Sequence, residues 1–139
     1  MKKVLVVLMT LVMVFAVTAC GDNETASGTG QMIDVCIEID YPDASGIADV
    51  KDYEFQVPEG TTALNMLHAY GEAAGVEIVM SDTSVTAYVT SIGGVAETMD
   101  SGWVYEVNDE MTLETADEYV VEPGTEITWE FMSWAEMSY

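Results

Sequence analysis

KDYEFQVPEGTTALNMLHAYG (51–71) changes its hydrophobic period midway, and that change decides the fold. Over its first seven residues Tyr53, Phe55 and Val57 alternate with charged or polar neighbours, the signature of a strand with one buried face. Pro58-Glu59-Gly60 then turns the chain. Beyond it Ala63, Met66, Leu67, Tyr70 and Ala74 fall at helical spacing, which predicts an amphipathic helix over roughly 62–74. Thr61 or Thr62 supplies the N-cap, and Gly75 suits the C-terminal end.

Upstream, MIDVCIEIDY (32–41) sets Ile33, Val35, Ile37, Ile39 and Tyr41 against Asp34, Cys36, Glu38 and Asp40, a second period-2 strand ended by PDASG (42–46). Downstream, VEIVM (76–80) and VTAYVTSI (85–92) read as strands, the latter closed by Gly93-Gly94. GWVYEVN (102–108) places Trp103, Tyr105 and Val107 on one side, and Asn108-Asp109 follows as a tight turn because Asx residues tolerate the left-handed region. EYVVEPGTEITWEF (118–131) reads as strand, Pro123-Gly124 turn and strand, with Ile127, Trp129 and Phe131 inward. Strand–strand–helix–strands predicts an α+β, β-grasp-like domain over 32–139: one helix packed on a mostly antiparallel sheet of about five to seven short strands.

The 139 residues carry a formal charge of −22, unevenly spread. Two of the three basic residues, Lys2 and Lys3, precede residue 20; from there on, 25 acids face Lys51 alone, a charge of −24. A surface with one cation cannot neutralise a row of phosphates, which excludes nucleic acid and electrostatic attraction to anionic lipid. Half of the residues are apolar, so the chain has enough hydrophobic material to fold despite its charge.

The N-terminus reads as an address. Lys2-Lys3 precede the uncharged run VLVVLMTLVMVFAV (4–17), too short for a membrane span of about 20 residues but proportioned as a secretory core. It ends in Val17-Thr18-Ala19-Cys20, which resembles the bacterial lipobox. Residues 1–19 are therefore expected to be a lipoprotein signal peptide and Cys20 the acylated residue of an extracytoplasmic protein anchored to the bacterial cell membrane. Residues 20–31, rich in Gly, Ser, Thr and Asx, form the tether. Cys36 is then left without an intramolecular partner and is expected as a half-buried strand residue.

Little remains for catalysis. His68, the single histidine, lies within the helix and in no nucleophile motif, and neither a phosphate-binding nor a dinucleotide-binding glycine pattern occurs. No catalytic residue and no enzymatic activity are expected. Asp109, Glu110, Glu114, Asp117 and Glu118 crowd one segment, yet without the spacing of a calcium loop they read as a solvated acidic face, with calcium binding the alternative; no metal site is assigned.

YVTSIGGVAE (88–97), SGWVYEVND (101–109), ADEYVVEPGTEITWEF (116–131) and Ser133-Trp134, in that order, resemble the transcobalamin-like C-terminal domain, the small β-domain of transcobalamin and intrinsic factor and a module of bacterial surface proteins. PEGTTALNMLHAYG (58–71) fits the same domain, so the resemblance spans about 32–134. In the vertebrate carriers cobalamin is sandwiched between this domain and a helical barrel. The resemblance implies ligand-facing positions at Tyr88, Trp103, Tyr105 and the segment near Leu113. It also implies a small-molecule binding module that holds a corrinoid or presents it to uptake machinery, with cobalamin as ligand and no cofactor required. The same aromatics alternate as core residues do, and core packing is their other reading. The alternative function is a non-enzymatic module of the cell surface that binds an envelope protein.

Overall fold

The computed structural model describes residues 30–81 and 87–137. The expected signal peptide (1–19), Cys20 and the tether up to residue 29 lie outside the described residues. No helix among the described residues is long and apolar enough to cross a membrane.

The elements in chain order are β1 (Met32–Asp40), β2 (Val50–Pro58), α1 (Ala63–Ala74), β3 (Ile78–Ser81), β4 (Tyr88–Ile92), β5 (Val95–Ala96), β6 (Ser101–Val107), β7 (Glu110–Met111) and β8 (Glu126–Ser133). They form one five-stranded sheet, ordered β2-β1-β8-β6-β7, and a small sheet, β3-β4-β5. Within the large sheet β1 and β8 run parallel, while β1–β2, β6–β8 and β6–β7 are antiparallel. The architecture is thus one helix on a mixed sheet plus a small antiparallel sheet, consistent with the α+β expectation.

The alternation read in 32–41 becomes the centre of the core. Ile33, Val35, Ile37, Ile39 and Tyr41 are all buried, together with Ile127 and Trp129 of β8 and Leu64, Met66, Leu67 and Tyr70 of α1. Burying these side chains is the main favourable term, roughly 1.5–3 kcal/mol for each large apolar residue. Tyr53 of β2 meets Tyr70 of α1 edge-on at 5.0 Å, which fixes the helix against the sheet's outer strand.

The helix begins and ends where expected. Thr62 Oγ1 accepts from the Asn65 amide at 3.3 Å, and Gly75 takes the left-handed conformation at φ 70°. Gly71 has a packing reason: a Cβ there would lie 2.7 Å from both Ile78 Cγ1 and the Val76 carbonyl oxygen.

Three details differ from the sequence expectation. The described residues form eight strands in two sheets rather than five to seven in one, because Gly93-Gly94 and Asn108-Asp109 each reverse the chain into an added two-residue strand. The expected strand at 118–122 is reduced to a single bridge, Thr62↔Val120. The backbone here and just before it is used elsewhere: the carbonyls of Ala116 and Tyr119 accept from the Leu64 and Ala63 amides at 2.8 and 2.9 Å. Those amides belong to the first turn of α1 and have no partner within the helix, so the segment caps the helix instead of pairing as a strand. The strand expected over 85–92 starts at Tyr88, and 82–86 lie outside the described residues.

The solvent side of the large sheet holds the residues that alternate with the core. Cys36, Glu38 and Asp40 of β1 stand beside Glu126, Thr128 and Glu130 of β8 in register. Lys51 bonds Asp40 and lies 3.6 Å from Glu38. A bulge in β2 opposite Glu38 holds Asp52 at φ 49°, which turns a further carboxylate toward this face.

Candidate ligand-binding cleft

β6 and β8 set the floor of a cleft between the two sheets. Their antiparallel register places Trp103 opposite Phe131 and Tyr105 opposite Trp129, so the large aromatics come in facing pairs. The rings of Trp103 and Phe131 meet at 5.3 Å, and those of Tyr105 and Trp129 at 5.4 Å. Tyr41, one residue past β1, adds an edge-on contact to Trp103 at 5.6 Å. Trp103 is fixed further by its indole Nε1, which donates to the Val95 carbonyl at 2.9 Å.

The wall comes from the segment that caps α1. Tyr105 donates its hydroxyl proton to the Glu114 carbonyl at 2.7 Å, which holds Thr115 and Ala116 against the aromatic floor. Burial, then the nearby Glu114 charge, pushes the Tyr105 phenol up to about 12, so it remains a donor throughout the physiological range. Ala87, Tyr88 and Val89, leading into and along β4, close the other side. The cleft has a volume of about 160 Å³.

Of the residues expected at a ligand surface, Tyr88, Trp103 and Tyr105 line this one cleft. Tyr88 is 45% exposed and forms its open rim; Trp103 is buried in its floor. Leu113 does not line the cleft: it is 95% exposed, two residues before Thr115, on the surface beside the wall. Thr115, Ala116 and Trp129 were not expected there. Trp129 was legible only as an inward residue of its strand, since facing Tyr105 depends on a pairing that no local pattern specifies.

A larger concavity of about 350 Å³ lies on the opposite, acidic side, lined by Asp34, Val35, Cys36, Glu54 and Gly124. It has no aromatic surface. Next to it Cys36, Asp52 and Glu126 bring one sulfur and two carboxylate groups within 4.8 Å of one another, the one such convergence among the described residues. The acids of 109–118 form no comparable group among the described residues. Burial, followed by the Glu126 and Asp52 charges, pushes the Cys36 thiol up to about 11, so at neutral pH it is protonated and not a ready metal ligand. Cys36 is half-buried and free, as expected. His68 is also half-buried, its Nε2 3.1 Å from Met80 Sδ.

Comparison with known proteins gives a family and a fold. The family model described as "Domain of unknown function (DUF4430)" matches residues 60–133, and the chain belongs to that family. A crystal structure of haptocorrin in complex with Cbi (cobinamide) superposes with a TM-score of 0.66 at 17% identity, over 85% of this chain and 28% of the haptocorrin chain. This chain therefore spans little more than a quarter of that protein. A protein from Ruminococcus gnavus, provisionally described as metal binding, superposes with a TM-score of 0.53 at 11% identity, covering 73% of this chain and 97% of its own. No curated protein matches the sequence. At these identities the two structures establish a shared fold.

Proposed function

We propose that the protein is a non-enzymatic small-molecule binding module, held at the bacterial cell surface by an acylated Cys20, whose cleft takes part of a corrinoid. The observation that carries this reading is the convergence of Tyr88, Trp103 and Tyr105 on one aromatic cleft, with Tyr88 left open to solvent. Ligand sites combine apolar aromatic surface with a few polar groups, and this one does both. The fold shared with haptocorrin, whose structure holds cobinamide, supports the choice of ligand. The central parallel pair β1–β8 with one helix across the sheet supports a β-grasp description of the fold.

A cleft of about 160 Å³ accepts an edge or side arm of a macrocycle, not the whole of it. The remainder would rest on Tyr88 and on the exposed surface at Leu113. A half-open site of this kind fits presentation to uptake machinery better than long-term storage. The test is titration of the full chain, in mild detergent, with cobinamide and cobalamin, followed by calorimetry or corrin absorbance. Saturable binding that Tyr88→Ala weakens is expected; absence of binding up to high micromolar concentration overturns the reading.

The acidic outer face, carrying Asp34, Glu38, Glu54, Glu126 and Glu130, favours a second reading as a module that docks a basic envelope protein. Salt-sensitive capture of one specific partner would favour it over the first.

A further inference from the structure

α1 and β3 bring together two side chains that the cleft does not use. His68 and Gly71 stand three residues apart on α1 and so share one side of the helix. Ile78 and Met80 stand two apart on β3, both half-buried, with the exposed Val79 between them on the other face. Gly71 lets the strand come close, since a Cβ there would lie 2.7 Å from Ile78 Cγ1. One turn back along the helix, the same approach sets His68 Nε2 3.1 Å from Met80 Sδ. Neither residue is sealed from solvent.

As a hydrogen bond this pairing is weak, because a thioether sulfur is a poor acceptor. As a pair of metal ligands it is selective. Imidazole suits several transition metals, whereas a thioether selects soft ions, cuprous copper among them. Metal bonds of roughly 2.0 Å to nitrogen and 2.3 Å to sulfur hold those two atoms about 3–4 Å apart. The observed separation lies at the near end of that range, and the unbranched Met80 side chain can open it without moving the backbone. Harder ions find too little here. Among the described residues, no group of three His, Cys, Asp or Glu ligands includes His68. Zinc takes about four nitrogen, sulfur or oxygen donors and calcium about six to eight oxygens, so one imidazole and one thioether satisfy neither. The chain's acidic charge concentrates every cation near its surface and chooses none. The choice falls to the sulfur.

We propose that His68 and Met80 form a binding site for a soft monovalent metal ion, Cu(I), with His68 Nε2 and Met80 Sδ as its protein ligands. The ion sits on the Nε2 lone pair, and the neutral ring keeps its proton on Nδ1. The site is separate from the aromatic cleft and does not depend on what enters it.

The test uses Ag(I), a redox-inert stand-in for Cu(I), added in chloride-free buffer to the full chain in mild detergent. Cys36→Ser, with any other thiol capped by N-ethylmaleimide, keeps thiolates from competing. The chain has one histidine, so a 15N-histidine label reports His68 without further assignment. A 13C-methyl label reports Met80, identified by its nuclear Overhauser contact with the ring. One equivalent of Ag(I) is expected to move the Nε2 and Met80 methyl signals together, and Zn(II) at the same concentration to leave both in place. Met80→Leu keeps the bulk of the side chain and should weaken Ag(I) binding at least tenfold. Met99→Leu, at a methionine 96% exposed, should leave it unchanged. Cu(I), added anaerobically as its acetonitrile complex, should displace the silver. An Nε2 signal that stays fixed, or one that moves without the Met80 methyl, overturns the paired site, as does unchanged affinity in Met80→Leu. An equal response to Zn(II), or failure of Cu(I) to displace Ag(I), overturns the choice of ion.

Discussion

Tyr105 faces Trp129 across the β6–β8 ladder with ring centroids 5.4 Å apart, and its hydroxyl donates to the Glu114 carbonyl. One side chain thus joins the floor of the cleft to its wall. The hydroxyl bond separates the two roles. Tyr105→Phe keeps the ring on Trp129 and releases the wall, so urea unfolding should show a loss of about 1 kcal/mol. Amide exchange should quicken over residues 112–116 and remain unchanged in β8. Equal protection throughout would show that the wall is held by the helix-capping bonds of Ala116 and Tyr119 alone.

Gly71 lies inside α1, where Gly→Ala ordinarily stabilises by about 1 kcal/mol. Here the added methyl would stand 2.7 Å from Ile78 Cγ1 and from the Val76 carbonyl oxygen. Ile78 can shift in part; the carbonyl, fixed by the turn after the helix, cannot. The expected result is the opposite sign, a destabilisation of roughly 1–3 kcal/mol from overpacking. A thermal melt of Gly71→Ala above that of the native chain would refute the close approach of α1 and β3.

How much of this was legible in the sequence depends on the range of the interaction involved. Ile33 to Tyr41 alternated and became the buried face of β1; the spacing from Ala63 to Ala74 became α1, with Thr62 and Gly75 at its ends. These are local periodicities. The segment 118–122 misled because its apolar pair looked like a strand, while the Tyr119 carbonyl, with that of Ala116 just before the segment, was committed to the first turn of a helix some fifty residues earlier. The convergence of Cys36, Asp52 and Glu126 was hidden for the same reason, needing both a bulge and a parallel pairing. At the cleft, the resemblance named Tyr88, Trp103 and Tyr105, but the fourth aromatic, Trp129, is placed there by cross-strand register.

Asn108 and Asp109 both hold positive φ, 49° and 65°, in the turn that pairs Val107 with Glu110. Two-residue hairpins of this hand favour Asn-Gly. Asp109→Gly should relieve left-handed strain of about 1–2 kcal/mol. It adds unfolded-state entropy equivalent to about 0.5–1 kcal/mol, leaving a modest net gain. Asn108 stays in place, since its side-chain oxygen accepts from the Glu126 amide at 3.0 Å and ties the turn to β8. Chemical denaturation of the single variant measures the balance; a lower midpoint would mean that the Asp109 side chain does more for the turn than its backbone strain costs.

Glu126 stands where the charge of the outer face concentrates. Burial, then the charges of Glu38, Asp109 and Asp52, raises its carboxyl above the ordinary value of 4.5. The folded state therefore holds this proton more tightly than the unfolded chain does. Well below pH 4.5 the group is neutral in both states and costs nothing. As pH rises through the folded value, ionisation destabilises the fold, and the full penalty is present at pH 7. Glu126→Gln should raise the melting temperature at pH 7, and the gain should shrink as the pH is lowered and vanish near 3. Because three of the causes are like charges, added NaCl should stabilise the native chain more than the variant. A gain that persists at pH 3 would instead assign the effect to packing, since almost no charge remains there to remove.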